Sequence, residues 1–530
     1  MSAAQEPATS TLRRAALASS VGIFISRISG LIREMAFGYF FGASQYFDAF
    51  VIAFRIPNTL RMLIGEGAFT VAMLPHLADA RARGEAAEGQ FIAAVFVRWT
   101  LALTAVSALL MLLTPWLTQG YAPGMSPEVF SLTVETGQWM AWYVLPVGLY
   151  GLTQAVAQVR KRFFWVSVAP LAMNLAQVGA VVWAALAVAT PQAGLWALVV
   201  SVWVGGALQL LISMVPMRAK PRADWSHWRA HPEAFWGILR TAAPASIGLG
   251  VYQLQVMITT ALATLVGPGT VSKFFYVDRL VQLPLAMLGT SIGTVALPFL
   301  ADMATHPGDA DELNARAGRV LDQSMAMAWV LLLPCVLALT LGADIVVWLV
   351  YGHGAFARQG AAAALDTAQI LALSSWGLPA AVSVRILNAY FYARKNTRVP
   401  MFLAVSSLGA LAVLGWPLAE RYGSFGLACA LAASSWMQLI VALAILARRG
   451  FLPHLHILRH LLAPLLLAAT MATTVRLLGF PALPIVKQLV LGAGLMLLYT
   501  GALWLIPGPL GRQGALGQIL GRLSAKLRRN

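Results

Sequence analysis

The chain has 530 residues, of which 59% are hydrophobic and 11% charged, against the roughly 25% charged residues of a soluble domain. So little charge cannot cover a soluble protein of this length, which excludes a soluble enzyme or binding module. Two cysteines, Cys335 and Cys429, both inside apolar runs, exclude a disulfide scaffold and a cysteine metal site. The formal net charge of +17 would suggest nucleic acid in a soluble chain. Here it collects in short segments between apolar runs, so no nucleic-acid partner is expected, and the chain reads as an all-α polytopic membrane protein.

A spanning helix needs about 20 mostly apolar residues. In chain order the runs 15–40, 47–75, 92–117, 129–157, 164–188, 194–216, 236–266, 270–300, 320–350, 365–392, 399–419, 424–447, 456–478 and 484–506 predict fourteen transmembrane helices. Arg13 and Arg14 precede the first run, but Arg27 and Arg33 lie within it and no cleavage site follows, so it reads as an uncleaved span. The uncharged stretch from Phe163 to Met217 must be two helices, hinged at Pro191-Gln192-Ala193-Gly194. Cytoplasmic loops collect Lys and Arg. With the N-terminus inside, 24 basic residues fall in inner segments and only Lys273, Arg358, Arg421, Arg476 and Lys487 in outer loops, so both termini are expected to be cytoplasmic.

Leu74-Pro-His-Leu-Ala-Asp79 and Leu297-Pro-Phe-Leu-Ala-Asp302 match at an offset of about 225 residues. The match sets span 2 against span 8, six spans apart. An even separation gives both copies the same orientation, hence a parallel pseudo-twofold repeat with a cavity expected between the halves. The expected organisation is an N-terminal six-helix lobe (1–217), a linker (218–235) whose Trp225 and Trp228 suit the membrane interface, and a second six-helix lobe (236–450). Two extra helices (451–506) and a basic, lipid-touching tail (507–530) follow.

Arg98 and Arg240 lie near inner span ends and can snorkel. Arg27, Arg33, Arg55, Arg61, Arg279 and Arg385 cannot. A charge at the bilayer centre costs ~2.5–3.5 kcal/mol on insertion scales, so these six must be paired or face water. Glu34, Asp48, Glu66 and Asp278 are candidate partners in an internal ion-pair network, but six positives against four negatives leave a surplus. Asp48, Arg55 and Glu66 share one helical face. Arg61 joins them only if Pro57 kinks or unwinds span 2. Arg385, Asn388 and Tyr392 form a polar stripe on span 10. The favoured reading is a wet, cationic cavity for an anionic cargo, because arginine suits a bidentate grip on phosphate or diphosphate. No nucleophile, base, metal-ligand spacing or Walker motif appears, so a transporter without cofactor or metal is expected rather than an enzyme.

The stretch Ser26-Arg-Ile-Ser-Gly-Leu-Ile-Arg33-Glu, with Phe41-Gly-Ala, Asp48-Ala-Phe, Phe54-Arg-Ile-Pro-Asn58-Thr-Leu-Arg61 and Gly65-Glu-Gly-Ala-Phe69, closely resembles the MurJ/MviN family of bacterial lipid II flippases. Tyr276-Val-Asp278-Arg279-Leu, Leu283-Pro and Phe391-Tyr-Ala-Arg-Lys-Asn-Thr-Arg-Val-Pro400 match as well. The resemblance implies membership of a superfamily shared with multidrug exporters and polysaccharide flippases. It also implies translocation of undecaprenyl-diphosphate-linked peptidoglycan precursor across the bacterial inner membrane by alternating access. Lipid II and membrane lipids are then the expected partners, with the cell-wall synthesis machinery a possible further one. On the resemblance, Arg27, Arg33, Arg61 and Arg279 would bind the diphosphate, and Asp48 and Glu66 would steer gating. Asn58 and Gln253 would be polar cavity positions, and spans 13 and 14 would line a groove for the lipid tail.

Two departures follow. Gln282 stands where many relatives carry Glu, so an acid-dependent gate does not carry over. Run 399–419 contains no acid, so no sodium site is expected and membrane potential is the expected energy source. The alternatives are a flippase for another polyprenyl-diphosphate-linked glycan and, against the arginines, a multidrug antiporter.

Overall fold

A computed structural model describes residues 25–62, 68–187, 190–218, 222–229, 232–285, 310–448 and 494. Every regular element among them is helical, as a chain with no water to satisfy its backbone requires. Among the described residues, six helices are long and apolar enough to cross a membrane: Glu85–Tyr121, Phe164–Ala187, Pro191–Arg218, Arg316–Leu341, Gly360–Ala393 and Arg398–Arg448. The first, second, eighth and tenth expected spans carry charges, and of these only the tenth falls within one of the six; residues 15–24 of the first, 63–67 of the second and 286–300 of the eighth lie outside the described residues. The last two expected spans, except for position 494, lie outside the described residues. The chain packs as two units: residues up to Ser272 with His353–Gln359, and Lys273–Gly352 with residues from Gly360 onward.

The first unit holds α1 (25–41), α2 (Gln45–Leu60), α3 (Ala68–Ala82), α4 (Glu85–Tyr121), α5 (Pro127–Ala141), α6 (Val144–Val159), α7 (Phe163–Ala187), α8 (Pro191–Ser213) and α9 (Pro232–Val266). It also holds the first turn of α10 (Thr270–Pro284). Although α9 follows the linker, it packs on α3 and α4, within the first unit. Gly42, at φ 59°, ends α1, and the Ser44 hydroxyl accepts from the Phe47 amide to start α2. Between the two helices Phe37, Phe41, Phe47 and Phe50 form a ring cluster with centroids 5.2–5.9 Å apart.

From Ser107 onward, helix α4 largely inverts the pattern of a soluble helix. Leu112 and Trp116 are 67% and 70% exposed, whereas Ser107, Thr114 and Thr118 are buried. Small residues let helices approach where lipid supplies no hydrophobic drive. A Cβ at Gly137 of α5 would stand 2.9 Å from the Thr114 side chain. The expected fourth span is broken at Trp142-Tyr143 into α5 and α6, and the Trp203 indole donates to the Trp139 carbonyl beside the break.

The second unit contains the rest of α10, α11 (Ala310–Leu341), α12 (Ala343–Tyr351), α13 (Gly360–Ser375), α14 (Leu378–Ala393) and α15 (Arg398–Arg448). Helix α15 turns at Gly423 (φ 60°, ψ −139°), where the eleventh and twelfth expected spans meet. Its core sets Leu321, Leu332 and Val336 of α11 with Ile386, Leu387 and Phe391 of α14. Here the tenth expected span breaks at Trp376-Gly377, and the Trp436 indole donates to the Trp376 carbonyl at 2.9 Å. Each unit thus places a tryptophan indole from a later helix on a carbonyl beside the break of a span.

The linker is anchored in the first unit. Glu88, 2% exposed, accepts from Arg160 Nε at 3.0 Å and Nη2 at 2.9 Å, with Arg81 Nε at 4.0 Å. Arg160 Nη1 also donates to the Pro216 carbonyl, and the Asp224 amide donates to the Gly89 carbonyl. Glu88→Ala should leave the buried Arg160 guanidinium without its charge partner and cost about 3–5 kcal/mol. A thermal unfolding midpoint in detergent equal to that of the unmodified protein would contradict this.

Candidate functional site

In the first unit, α1 meets α7 through a buried polar seam. Arg33 is bound on two sides: Nη2 pairs with the buried Glu34 carboxylate, and Nη1 donates to Asn174 Oδ1 of α7 at 2.9 Å. Asn174 Nδ2 donates back to the Ser26 carbonyl at 3.1 Å and the Ser29 hydroxyl at 2.8 Å. The Arg33 side chain keeps 19% of its exposure, and Arg27, two turns earlier, is exposed. Arg33 Nε is buried and has no hydrogen-bond partner among the described residues.

Helix α2 carries a second polar face. Asp48 is 3% exposed and accepts from the Gly269 amide at 2.6 Å, from the Ser272 amide at 2.7 Å and from the Ser272 hydroxyl. It therefore caps the first turn of α10, where free amides and the helix dipole favour an anion. Gly269 makes this possible: its φ is 79°, and a Cβ there would collide with the Ala43 carbonyl. Farther along α2, Arg55 donates to the Thr260 hydroxyl of α9, and Thr59 donates to Gln253 Oε1 at 3.0 Å. Gln253 Nε2 in turn meets the Met62 sulfur at 3.3 Å.

Helix α2 runs through Pro57 to Leu60, with the Arg61 amide still donating to the Pro57 and Asn58 carbonyls, and widens at Arg61-Met62, where this described stretch ends. Arg61 Nε donates to Asn58 Oδ1 at 2.9 Å. The structure thus joins Arg61 with Asn58 and brings Gln253 to Thr59. Glu66 lies outside the described residues.

In the second unit, Arg279 of α10 lies over the Phe275 ring at 4.8 Å, a cation–π contact. Gln282 Nε2 donates to Asp278, one turn earlier, at 2.5 Å. On α14, Arg385 is exposed, and the half-buried Asn388 keeps a carbonyl oxygen with no hydrogen-bond partner among the described residues.

Four contributors were not expected from the sequence: Asn174, Thr260, Thr59 and Ser272. Each is neutral. The one available signal was Asn174 itself, an amide inside an otherwise uncharged span, where a polar group without a partner is costly.

The family profile described as "Lipid II flippase MurJ" matches residues 37–496. The lipid II flippase MurJ of Burkholderia cenocepacia is 31% identical over 517 residues, covering 93% of this chain and 97% of that protein. Among solved structures, lipid II flippase MurJ in an inward closed conformation has a similar fold, with a TM-score of 0.72 at 20% identity, over 92% of this chain and 98% of that one. An inward-facing multidrug resistance transporter of the MATE family and MOP superfamily follows with a TM-score of 0.62 at 13% identity, over 81% and 96%.

Asp48→Asn keeps the side-chain shape but replaces a two-oxygen anion by one neutral acceptor. The Gly269 and Ser272 amides should then exchange hydrogen roughly tenfold faster or more, since hydrogen bonds to a charged group are worth ~1.5–3 kcal/mol. Unchanged exchange in mass spectrometry of the 267–273 segment would contradict the capping role.

Proposed function

The chain belongs to the MurJ family of lipid II flippases, and from that premise we propose that it carries lipid II from the inner to the outer leaflet by alternating access. Arginine side chains of the spans grip the diphosphate. Arg27 and Arg33 of α1 and Arg61 after α2 form the first part of this set, and Arg279 of α10 joins them on the sequence resemblance. The observation that carries the reading is the arrangement around Arg33 and Arg61: each donates to a neutral amide, Asn174 or Asn58. These amides orient each guanidinium and can yield to a phosphate oxygen, while the Glu34 carboxylate holds the other terminal nitrogen of Arg33.

Asp48 acts in gating through its hold on the start of α10, and Arg55, Gln253, Asp278, Gln282, Arg385 and Asn388 make up the polar surroundings. Two six-helix lobes, a lipid-tail groove in 451–506 and cytoplasmic termini complete the proposed architecture. The breaks of the fourth and tenth spans, each with a tryptophan indole on a carbonyl beside it, support the repeat. Transport driven by membrane potential is the proposed coupling, because one charge crossing 100 mV gains ~2.3 kcal/mol. A cationic drug cargo would meet like charge at these arginines, so the antiporter reading is set aside.

In liposomes containing the purified protein and fluorescent lipid II, Arg27→Ala and Arg33→Ala should each lower translocation at least about tenfold, the scale of one charge-assisted contact. Activity like that of the unmodified protein in both variants would overturn the arginine grip. Arg61→Lys should also be impaired, because an ammonium lacks the planar fork. Full activity there would remove bidentate recognition at that position. Translocation of another undecaprenyl-diphosphate-linked glycan in preference to lipid II would identify a different cargo.

A further inference from the structure

We propose that Asn174 is a positioning residue for the diphosphate grip, acting through Arg33; the inference rests on the reading that Arg33 binds the cargo diphosphate. Asn174 lies on α7, in the uncharged middle of its span, and is 7% exposed. All three of its described hydrogen bonds go to α1. The direction of the amide is set by chemistry. The Ser26 carbonyl can only accept, so it fixes Nδ2 on its side, and the Ser29 hydroxyl lies within reach of the same nitrogen. Ser29 is itself held by donating to the Ser26 carbonyl at 2.9 Å. With Nδ2 committed, Oδ1 must point the other way, where the only suitable partner is a donor. Arg33 Nη1 supplies it.

Glu34 and Asn174 therefore hold the guanidinium by its two terminal nitrogens, and they differ in kind. Glu34 is an anion, and its bond to Arg33 is charge-assisted. Asn174 is neutral, so its bond is the weaker of the two and the one that a phosphate oxygen displaces. Before the cargo arrives, Asn174 keeps the planar fork in a fixed orientation and lowers the ordering cost that binding would otherwise carry. An aspartate at the same place would hold Arg33 as well, but it would face the Ser26 carbonyl with an oxygen and compete with the phosphate for the guanidinium.

The test is a double-mutant cycle on the full-length protein in nanodiscs, reading the dissociation constants of lipid II and of undecaprenyl diphosphate together with the thermal midpoint. Asn174→Ala should weaken binding of both probes by about two- to tenfold, the scale of the ordering cost of one immobilised side chain. On the Arg33→Ala background the same substitution should have no further effect, a silence that a general packing role would not produce. Ser29→Ala removes one bond to the amide and leaves Asn174 and Arg33 in place. It should weaken binding less than Asn174→Ala, again only when Arg33 is present, and it supplies the cycle if Asn174→Ala does not fold.

Two results would overturn the positioning role while leaving the arginine grip intact. One is a normal affinity in Asn174→Ala beside a weakened Arg33→Ala. The other is an Asn174→Ala penalty that adds in full to that of Arg33→Ala. Normal affinity in Arg33→Ala would instead remove the parent reading, and this inference with it.

Discussion

An ionised side chain placed in hydrocarbon must keep water, a counter-charge or hydrogen-bond acceptors around it. The rest of this structure is arranged around that requirement. On α1 the solution is mixed: Glu34 supplies charge to Arg33, and Asn174 supplies geometry. On α2, a threonine hydroxyl from α9 takes Arg55, and Asn58 takes Arg61. A soluble protein would pair such groups with carboxylates at its surface at little cost or benefit. Inside a membrane these internal partners take the place of the water that a guanidinium would otherwise keep.

The same constraint explains the packing. Past Ser107 of α4, large apolar side chains such as Leu112 and Trp116 face outward, and Ser107, Thr114 and Thr118 are buried. Helix contact then depends on close approach and on internal hydrogen bonds. Interruptions of the backbone are tolerated only where the freed groups find partners. At Trp139, whose carbonyl also accepts from the Trp142 amide, and at Trp376 tryptophan indoles add a bond, and Asp48 accepts from the amides at the start of α10. The indole and Asp48 bonds each join residues distant in sequence, so each ties helix continuity to tertiary packing.

How much of this could be read in the sequence depended on the physical signal involved. The helical membrane class followed from composition alone, and the clear spans from uninterrupted apolar runs. The hinge expected at Pro191–Gly194 appears as the start of α8 at Pro191, because proline fits the first helical turn. The breaks at Trp142-Tyr143 and Trp376-Gly377 were not legible, because the hydrophobic runs continue through them and the stabilising indoles lie on other helices. The arginines stood out as charges in apolar surroundings. Their partners Asn174 and Thr260 did not, because neutral polar residues are common in spans, and what distinguishes these two is spatial proximity.

The cap on α10 has a consequence for biosynthesis. Asp48 and the Gly269 amide it accepts are separated by 221 residues. At about 5–20 residues per second, the ribosome takes roughly ten to forty seconds to make the intervening chain. Throughout that interval α2 has been synthesised while the Gly269 and Ser272 donors to its buried carboxylate have not. Final closure of the first unit is therefore timed by the emergence of a turn 221 residues farther along the chain.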